Sequence, residues 1–102
     1  MKRRLAALAA TSLSLLGAPA VAQDAIRYVA ANCANCHGTD GYSAGGAGMP
    51  GLAGLSRTYF VEQMNAFRTG ARQATVMHQI SKGYTDDQIS RLADYFATKK
   101  AK

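Results

Sequence analysis

Two cysteines and a histidine form the segment of this 102-residue chain that is best suited to chemistry. Cys33, Cys36 and His37 follow the order C-x-x-C-H, and the chain has no other cysteine. This spacing is the attachment signature of a c-type haem. The two thiols lie about one helical turn apart. They can therefore bond to the two vinyl groups of one porphyrin while the adjacent imidazole faces the iron, and the motif predicts one covalently bound haem.

Three other uses of this motif agree less well with the rest of the sequence. A thioredoxin-like C-x-x-C needs a βαβ setting, and no alternating strand pattern is present. A structural zinc site has four ligands, and His78 is the one further imidazole in the chain. A structural disulfide forms readily in an oxidising compartment but does not need the histidine. The sequence favours haem over all three.

The second axial position of the iron decides what a haem with one histidine ligand can do. A methionine there raises the reduction potential and suits electron transfer, whereas an open position allows gas binding or peroxide chemistry. Met77 lies 40 residues beyond His37, far enough for the chain to reach the opposite porphyrin face. Met49 is only 12 residues beyond His37, and Met64 belongs to an apolar helical pattern typical of core packing. Met77 is therefore the favoured ligand.

His78 leaves a second ligand set open, because a second histidine on the iron gives a haem of lower potential. Neighbouring residues of a helix point about 100° apart, so only one of Met77 and His78 can face the iron. We expect His78 to be a polar residue beside the ligand.

The N-terminus has the order of a secretory signal peptide. A basic Met-Lys-Arg-Arg start is followed by an apolar run over residues 5–17, and Ala20 and Ala22 form an A-x-A pattern. The alternative is an uncleaved anchor, but a membrane-spanning helix needs about 20 apolar residues. We expect cleavage after Ala22, a periplasmic domain of residues 23–102, and no membrane span in the mature chain.

Removal of these 22 residues from 102 leaves 80, enough for one domain. A core of this size is only marginally stable and usually needs a covalent cross-link or a bound metal to stabilise it. The formal charge falls from +6 to +3, because Lys2, Arg3 and Arg4 leave. The basic residues near the C-terminus are not interleaved with aromatic residues on one face, so nucleic-acid binding is not expected.

Hydrophobic periodicity predicts an all-α fold. The first and last helical stripes each place apolar residues at i, i+3, i+4 and i+7; they are Ile26, Val29, Ala30 and Cys33, and Ile89, Leu92, Ala93 and Phe96. Asp24 suits the start of the first helix, and residues 85–88, Thr-Asp-Asp-Gln, form a capping box for the last. Each apolar stripe must pack against another part of the protein to be removed from water.

The middle of the chain has a long glycine-rich segment and two further helices. Residues 38–54 hold seven of the ten glycines, which indicates either a flexible loop or a backbone that lies close against a large flat group. A helix is predicted from the N-cap Ser56 to Gly70, with an apolar face of Tyr59, Phe60, Met64 and Phe67. A shorter one is predicted over residues 74–82.

Four stretches of the chain resemble the class I cytochromes c. They are "CANCHGTDG", "MPGLAGL", "YFVEQMNAFRTGAR" and "TVMHQISKGYTDDQISRLADYF", and together they cover nearly all of the mature chain. The patterns FVEQM-x-x-F-x-x-G and T-x-M-x-x-I-x-K-G-Y are most similar to the haem subunit of flavocytochrome c sulfide dehydrogenase and related small periplasmic monohaem cytochromes.

The resemblance implies a fold and a set of site residues. N- and C-terminal helices would pack across each other around one covalently bound haem c. Cys33 and Cys36 would form the thioethers, while His37 and Met77 would bind the iron. A proline carbonyl accepts the N–H of the proximal imidazole in that family, and Pro50 matches its position.

The same resemblance implies an electron carrier and not an enzyme. A flavoprotein that oxidises sulfide or another sulfur compound would supply the electrons, and a downstream cytochrome or oxidase would receive them. The chain has one C-x-x-C-H and no flavin-binding signature, so sulfur oxidation itself would belong to another chain. The alternatives are a free carrier that serves several oxidoreductases, and a gas-binding or peroxidatic haem protein with an open sixth site.

Overall fold

The computed structural model describes Ser12 and residues 20–101, and these residues form helices and loops without a β-strand. The five α-helices are α1 (Ala20–Ala31), α2 (Ala34–His37), α3 (Arg57–Thr69), α4 (Met77–Ile80) and α5 (Asp86–Ala97). Short 3-10 turns cover Thr39–Gly41, Gly46–Gly48 and Ser81–Gly83. The predicted all-α fold is confirmed, while most of the expected signal peptide lies outside the described residues.

The core forms around α5, against which both α1 and α3 pack. Its stripe residues are almost completely inaccessible to solvent, as the periodicity predicted; the buried apolar set is Ile26, Ala30, Phe60, Met64, Ile89, Leu92, Ala93 and Phe96. The Phe60 and Phe96 rings stack with their centroids 5.6 Å apart. The first and last helices of the described chain therefore bury their apolar faces in one shared core.

Three helix ends follow the local sequence. The Ser56 hydroxyl accepts the Tyr59 N–H at 3.2 Å at the start of α3, and Gly70 ends that helix in a left-handed conformation. Thr85 and Gln88 exchange the two hydrogen bonds of a capping box at the start of α5. These contacts satisfy backbone groups that a helix end leaves unpaired.

Other boundaries differ from the sequence prediction. The helix expected over residues 74–82 is shorter, because α4 begins at Met77 and passes into the 3-10 turn Ser81–Gly83. The first helix begins at Ala20 and so precedes Asp24. Tyr59 was assigned to the apolar face of α3 but is 46% exposed; this assignment was wrong, because the buried face centres on Phe60 and Met64. None of the described helices is long and apolar enough to cross a membrane.

Candidate functional site

The cysteine motif begins where α1 ends. The Cys33 N–H donates to the Ala30 carbonyl at 3.0 Å, and the Cys33 carbonyl accepts the His37 N–H at 2.8 Å. Both cysteines are free thiols; Cys33 is half-buried and Cys36 is exposed. Burial raises the pKa of the Cys33 thiol. The turn thus holds two reduced sulfur atoms and one imidazole within a single short helical segment.

The His37 side chain is buried and oriented by one hydrogen bond. Its Nδ1 lies 2.8 Å from the carbonyl oxygen of Pro50, and the residue is 8% exposed. A carbonyl can only accept, so Nδ1 carries the hydrogen and Nε2 is left with its lone pair. An imidazole in this tautomer can bind a metal through Nε2.

The glycine-rich loop holds Pro50 in place through bonds to its own backbone. The Ser43 hydroxyl donates to the Met49 carbonyl at 2.7 Å. The Gly41 carbonyl accepts the Leu52 N–H at 2.8 Å and the Ala53 N–H at 3.2 Å. A Cβ at Gly41 would lie 2.8 Å from the Ala53 nitrogen and 3.0 Å from the Phe96 ring. Glycine is needed at this position because the loop lies directly against the core.

Met77 occupies the first position of α4, which packs against α3. Its side chain is half-buried and contacts the core cluster. On either side of it, Val76 is 46% exposed and Ile80 is 43% exposed. Both side chains therefore leave apolar surface exposed close to Met77 in the chain.

The other candidate ligands have different surroundings. Met64 is buried in the core, as its helical pattern predicted. His78 is half-buried, and its Nδ1 is enclosed without a hydrogen-bond partner among the described residues. This nitrogen is covered by protein atoms. His78 could therefore bind a metal only through its other ring nitrogen, Nε2.

Sequence reasoning missed Tyr84, which lies near the first cysteine. Burial raises the pKa of the Tyr84 phenol, and the negative charge of a Cys33 thiolate would add to this effect, while the Asn32 side chain opposes it. Tyr84 immediately precedes the capping box of α5. The pattern T-x-M-x-x-I-x-K-G-Y ends at Tyr84 but does not indicate this proximity, because only the tertiary fold brings residue 84 close to residue 33.

Among the residues that the structure describes, no three His, Cys, Asp or Glu side chains are grouped so as to hold a metal ion by themselves. This does not support the zinc alternative.

The family model for cytochrome c matches residues 24–100. The chain belongs to the cytochrome c family. A search of curated proteins gave no match.

Membership of the family gives this cytochrome a covalently attached haem c, a role in electron transfer and redox proteins as partners. The residues present fit that cofactor. Cys33 and Cys36 are free to form thioethers, and the Nδ1 bond of His37 leaves Nε2 for the iron. Val76 and Ile80 leave apolar surface exposed close to Met77 in the chain.

Proposed function

We propose that this cytochrome is a periplasmic carrier of single electrons. Its haem is attached through Cys33 and Cys36, and the iron is bound by His37 and Met77. The observation that carries the proposal is the 2.8 Å contact between His37 Nδ1 and the Pro50 carbonyl. This contact selects the imidazole tautomer whose free nitrogen can bind iron, directly beside the two thiols.

The protein holds the cofactor and controls access to it. When bound, the haem supplies an iron that cycles between the ferrous and ferric states. Two thioethers anchor the ring where a small core has little apolar surface to hold it. The Pro50 carbonyl fixes the orientation of the imidazole and makes it a better electron donor. Met77 would supply the second ligand to the iron, and a methionine sulfur in that role raises the potential and excludes small external ligands.

Partner docking depends more on apolar contact than on overall charge. The formal charge of residues 23–102 is +3, and two haem propionates would offset much of it, so long-range steering is weak. Val76 and Ile80 supply exposed apolar surface near Met77. Encounters between electron-transfer proteins are commonly small and transient.

The donor that we propose is a flavoprotein that oxidises sulfide or another sulfur compound, and the acceptor is a downstream cytochrome or oxidase. The patterns FVEQM-x-x-F-x-x-G and T-x-M-x-x-I-x-K-G-Y support this assignment. The second candidate is a free carrier that serves several oxidoreductases. Affinity purification of the native protein from its periplasm separates them: a stoichiometric flavoprotein supports the subunit, and its absence supports the free carrier.

Export and cleavage after Ala22 complete the proposal. The basic start, the apolar run and the A-x-A pattern of residues 1–22 support it. Intact mass of the periplasmic protein should equal that of residues 23–102 plus one haem. A haem-containing product that retains residues 1–22 would contradict the cleavage site alone.

The iron ligands are tested by substitution of Met77 in the matured holoprotein. Carbon monoxide should leave the spectrum of the reduced wild type almost unchanged near neutral pH, because the sixth position is occupied. Met77→Ala should bind carbon monoxide readily, whereas Met49→Ala is the matched control and should behave as wild type.

His78→Ala should also keep the low-spin spectrum. If Met77→Ala remained low-spin while His78→Ala did not, the distal ligand would be His78. If the wild type itself bound carbon monoxide readily, a gas-binding haem would replace the electron carrier as the preferred function.

A further inference from the structure

The segment of residues 70–85 connects α3 with α5 and carries Met77. Most of its side chains are exposed or half-buried, but Ser81 is 0% exposed and is the one buried residue of this segment. It is as inaccessible to solvent as Leu92, which belongs to the core. The segment is therefore fixed in the protein interior at a single residue, and that residue is polar.

The hydroxyl of Ser81 bonds within the segment. It donates to the His78 carbonyl at 3.4 Å, and a buried hydroxyl needs such an acceptor because burial without one costs free energy. The Ser81 carbonyl accepts the Tyr84 N–H, also at 3.4 Å. Ser81 is thus bonded back to the residue that follows Met77 and forward to the residue that precedes the capping box of α5.

Met77 and Ser81 lie on the same side of one helical turn. Ser81 continues the helical conformation of α4, with φ −62 and ψ −27, and residues four apart on a helix share a side. Met77 contacts the core from this side, while Val76 and Ile80 are exposed. A movement of Ser81 out of the core would therefore carry Met77 with it.

We propose that Ser81 is a positioning residue for Met77, which anchors α4 and so controls how readily the Met77 sulfur leaves the iron. This inference rests on the proposed function, in which Met77 binds the iron. Serine suits the position because its side chain is small and its hydroxyl has an acceptor within the turn. A segment with one buried residue can open locally without unfolding the whole domain, so this anchor sets the population of the opened form.

Two substitutions separate the hydroxyl of Ser81 from its size. Ser81→Ala keeps the size and removes the hydrogen bond, which should increase the opened population about 2-fold to 5-fold. Ser81→Thr keeps the hydroxyl but adds a methyl group where the side chain is fully enclosed. Overpacking of this kind should push the turn outward and increase the opened population about 10-fold or more.

Imidazole binding to the ferric holoprotein measures the opened population. Added imidazole competes with Met77 for the sixth position, so its apparent dissociation constant falls in proportion as the opened fraction rises. We expect a decrease of about 2-fold to 5-fold for Ser81→Ala and about 10-fold or more for Ser81→Thr. Ile89→Val is the matched control, because it removes one methyl group from a fully buried residue of α5. It should lower global stability and leave the imidazole constant unchanged.

The position of Met77 is observed separately by proton NMR of the ferrous protein. The haem ring current shifts the methyl resonance of an axial methionine far upfield, and the loss of this resonance in Met77→Ala assigns it. Ser81→Thr should move the resonance, whereas Ile89→Val should not.

The imidazole constants decide whether Ser81 is the anchor. A lower constant in either Ser81 variant, with Ile89→Val unchanged, supports the proposal. Constants equal to wild type in both variants, or an equal decrease in Ile89→Val, would overturn it. Ser81→Ala decides alone if Ser81→Thr does not fold.

Failure of the proposed function gives a different result. A wild type without the upfield methyl resonance, or one whose resonance survives in Met77→Ala, would contradict Met77 as the ligand and this inference with it. A resonance that Met77→Ala abolishes establishes the ligand whatever the Ser81 variants do. The two failures are thus distinguished before any Ser81 variant is measured.

Discussion

The Nδ1 atom of His37 donates a hydrogen bond to the carbonyl oxygen of Pro50 over 2.8 Å. The two partners lie 13 positions apart in the sequence, and a loop rich in glycine connects them. The Ser43 hydroxyl holds that loop by donating to the carbonyl of Met49, the residue next to Pro50. The orientation of the imidazole therefore depends on a serine whose hydroxyl bonds to the loop backbone, at the Met49 carbonyl and the Gly45 N–H.

Ser43→Ala should raise the reduction potential of the holoprotein. A less firmly held Pro50 carbonyl weakens the Nδ1 hydrogen bond, and the imidazole then donates less charge to the ferric iron. The loss of the hydroxyl should also lower the free energy of unfolding by about 1 kcal/mol. Potentiometric titration and denaturant unfolding measure the two effects.

Thr98→Ala is the control for that experiment. The Thr98 hydroxyl donates to the Tyr95 carbonyl at 2.7 Å, at the far end of α5. Its loss should lower stability by a similar amount and leave the potential unchanged. Equal potentials in wild type and Ser43→Ala would show that the loop does not tune the imidazole.

Gly41→Ala should destabilise the fold much more than Gly45→Ala. Both glycines have φ +80, so each substitution incurs a left-handed backbone penalty of about 1–2 kcal/mol. A methyl at Gly45 meets open space, whereas one at Gly41 would overlap Ala53 and Leu52. This overlap should add about 1–3 kcal/mol. Denaturant unfolding of both variants checks the difference, and equal losses would contradict the close packing at Gly41.

Thr85→Ala should lower the free energy of unfolding by about 0.5–2 kcal/mol, because it removes the side-chain half of the capping box of α5. Thr85→Ser keeps a hydroxyl at the same position and should recover most of the loss. A Thr85→Ser variant as unstable as Thr85→Ala would indicate that the methyl group, and not the cap, stabilises the helix end. Chemical unfolding at neutral pH provides the measurement.

The sequence predicted those features that depend on short stretches of chain. Two of these are the capping box at residues 85–88 and the end of α3 at Gly70. Each involves only a few neighbouring residues, and both are present in the structure. The stripe of α5 is equally local, since any amphipathic helix must bury its apolar face.

Features that depend on distant residues were predicted less well. The pairing of His37 with Pro50 was expected from a family resemblance and not from the residues themselves. Two further features were not predicted. Tyr84 lies near Cys33, and Arg72 contacts Gln63 and Phe67. Each depends on the path of a loop, and side-chain types alone do not specify that path.

The stabilising effect of Tyr95 should decline at high pH. Its hydroxyl donates to Asp40 at 2.6 Å. Burial raises the pKa of this phenol, the Asp40 bond adds to the effect, and Lys99 opposes it. A tyrosine whose pKa is higher in the folded than in the unfolded state stabilises fully below about pH 10, the unfolded value. That contribution disappears as the pH rises through the folded value.

Tyr95→Phe tests this pH dependence. At pH 7 the variant should be less stable than wild type by about 1 kcal/mol, and the difference should shrink when unfolding is measured at pH 11. Tyr28→Phe is the control, because Tyr28 is 80% exposed, and it should match wild type at pH 7. A Tyr95→Phe difference that stayed constant would exclude titration of this phenol as its cause.

The packing of α1 against α5 has a consequence for the order of events during biosynthesis. These helices lie at opposite ends of residues 20–101, so their contact closes a loop that includes the cysteine motif and nearly all of the rest of the domain. Such sequence-distant contacts form late, since loop closure carries an entropic cost before any contact compensates for it. The Cys33 side chain, which packs against this core, therefore stays accessible in the emerging chain until α5 has folded.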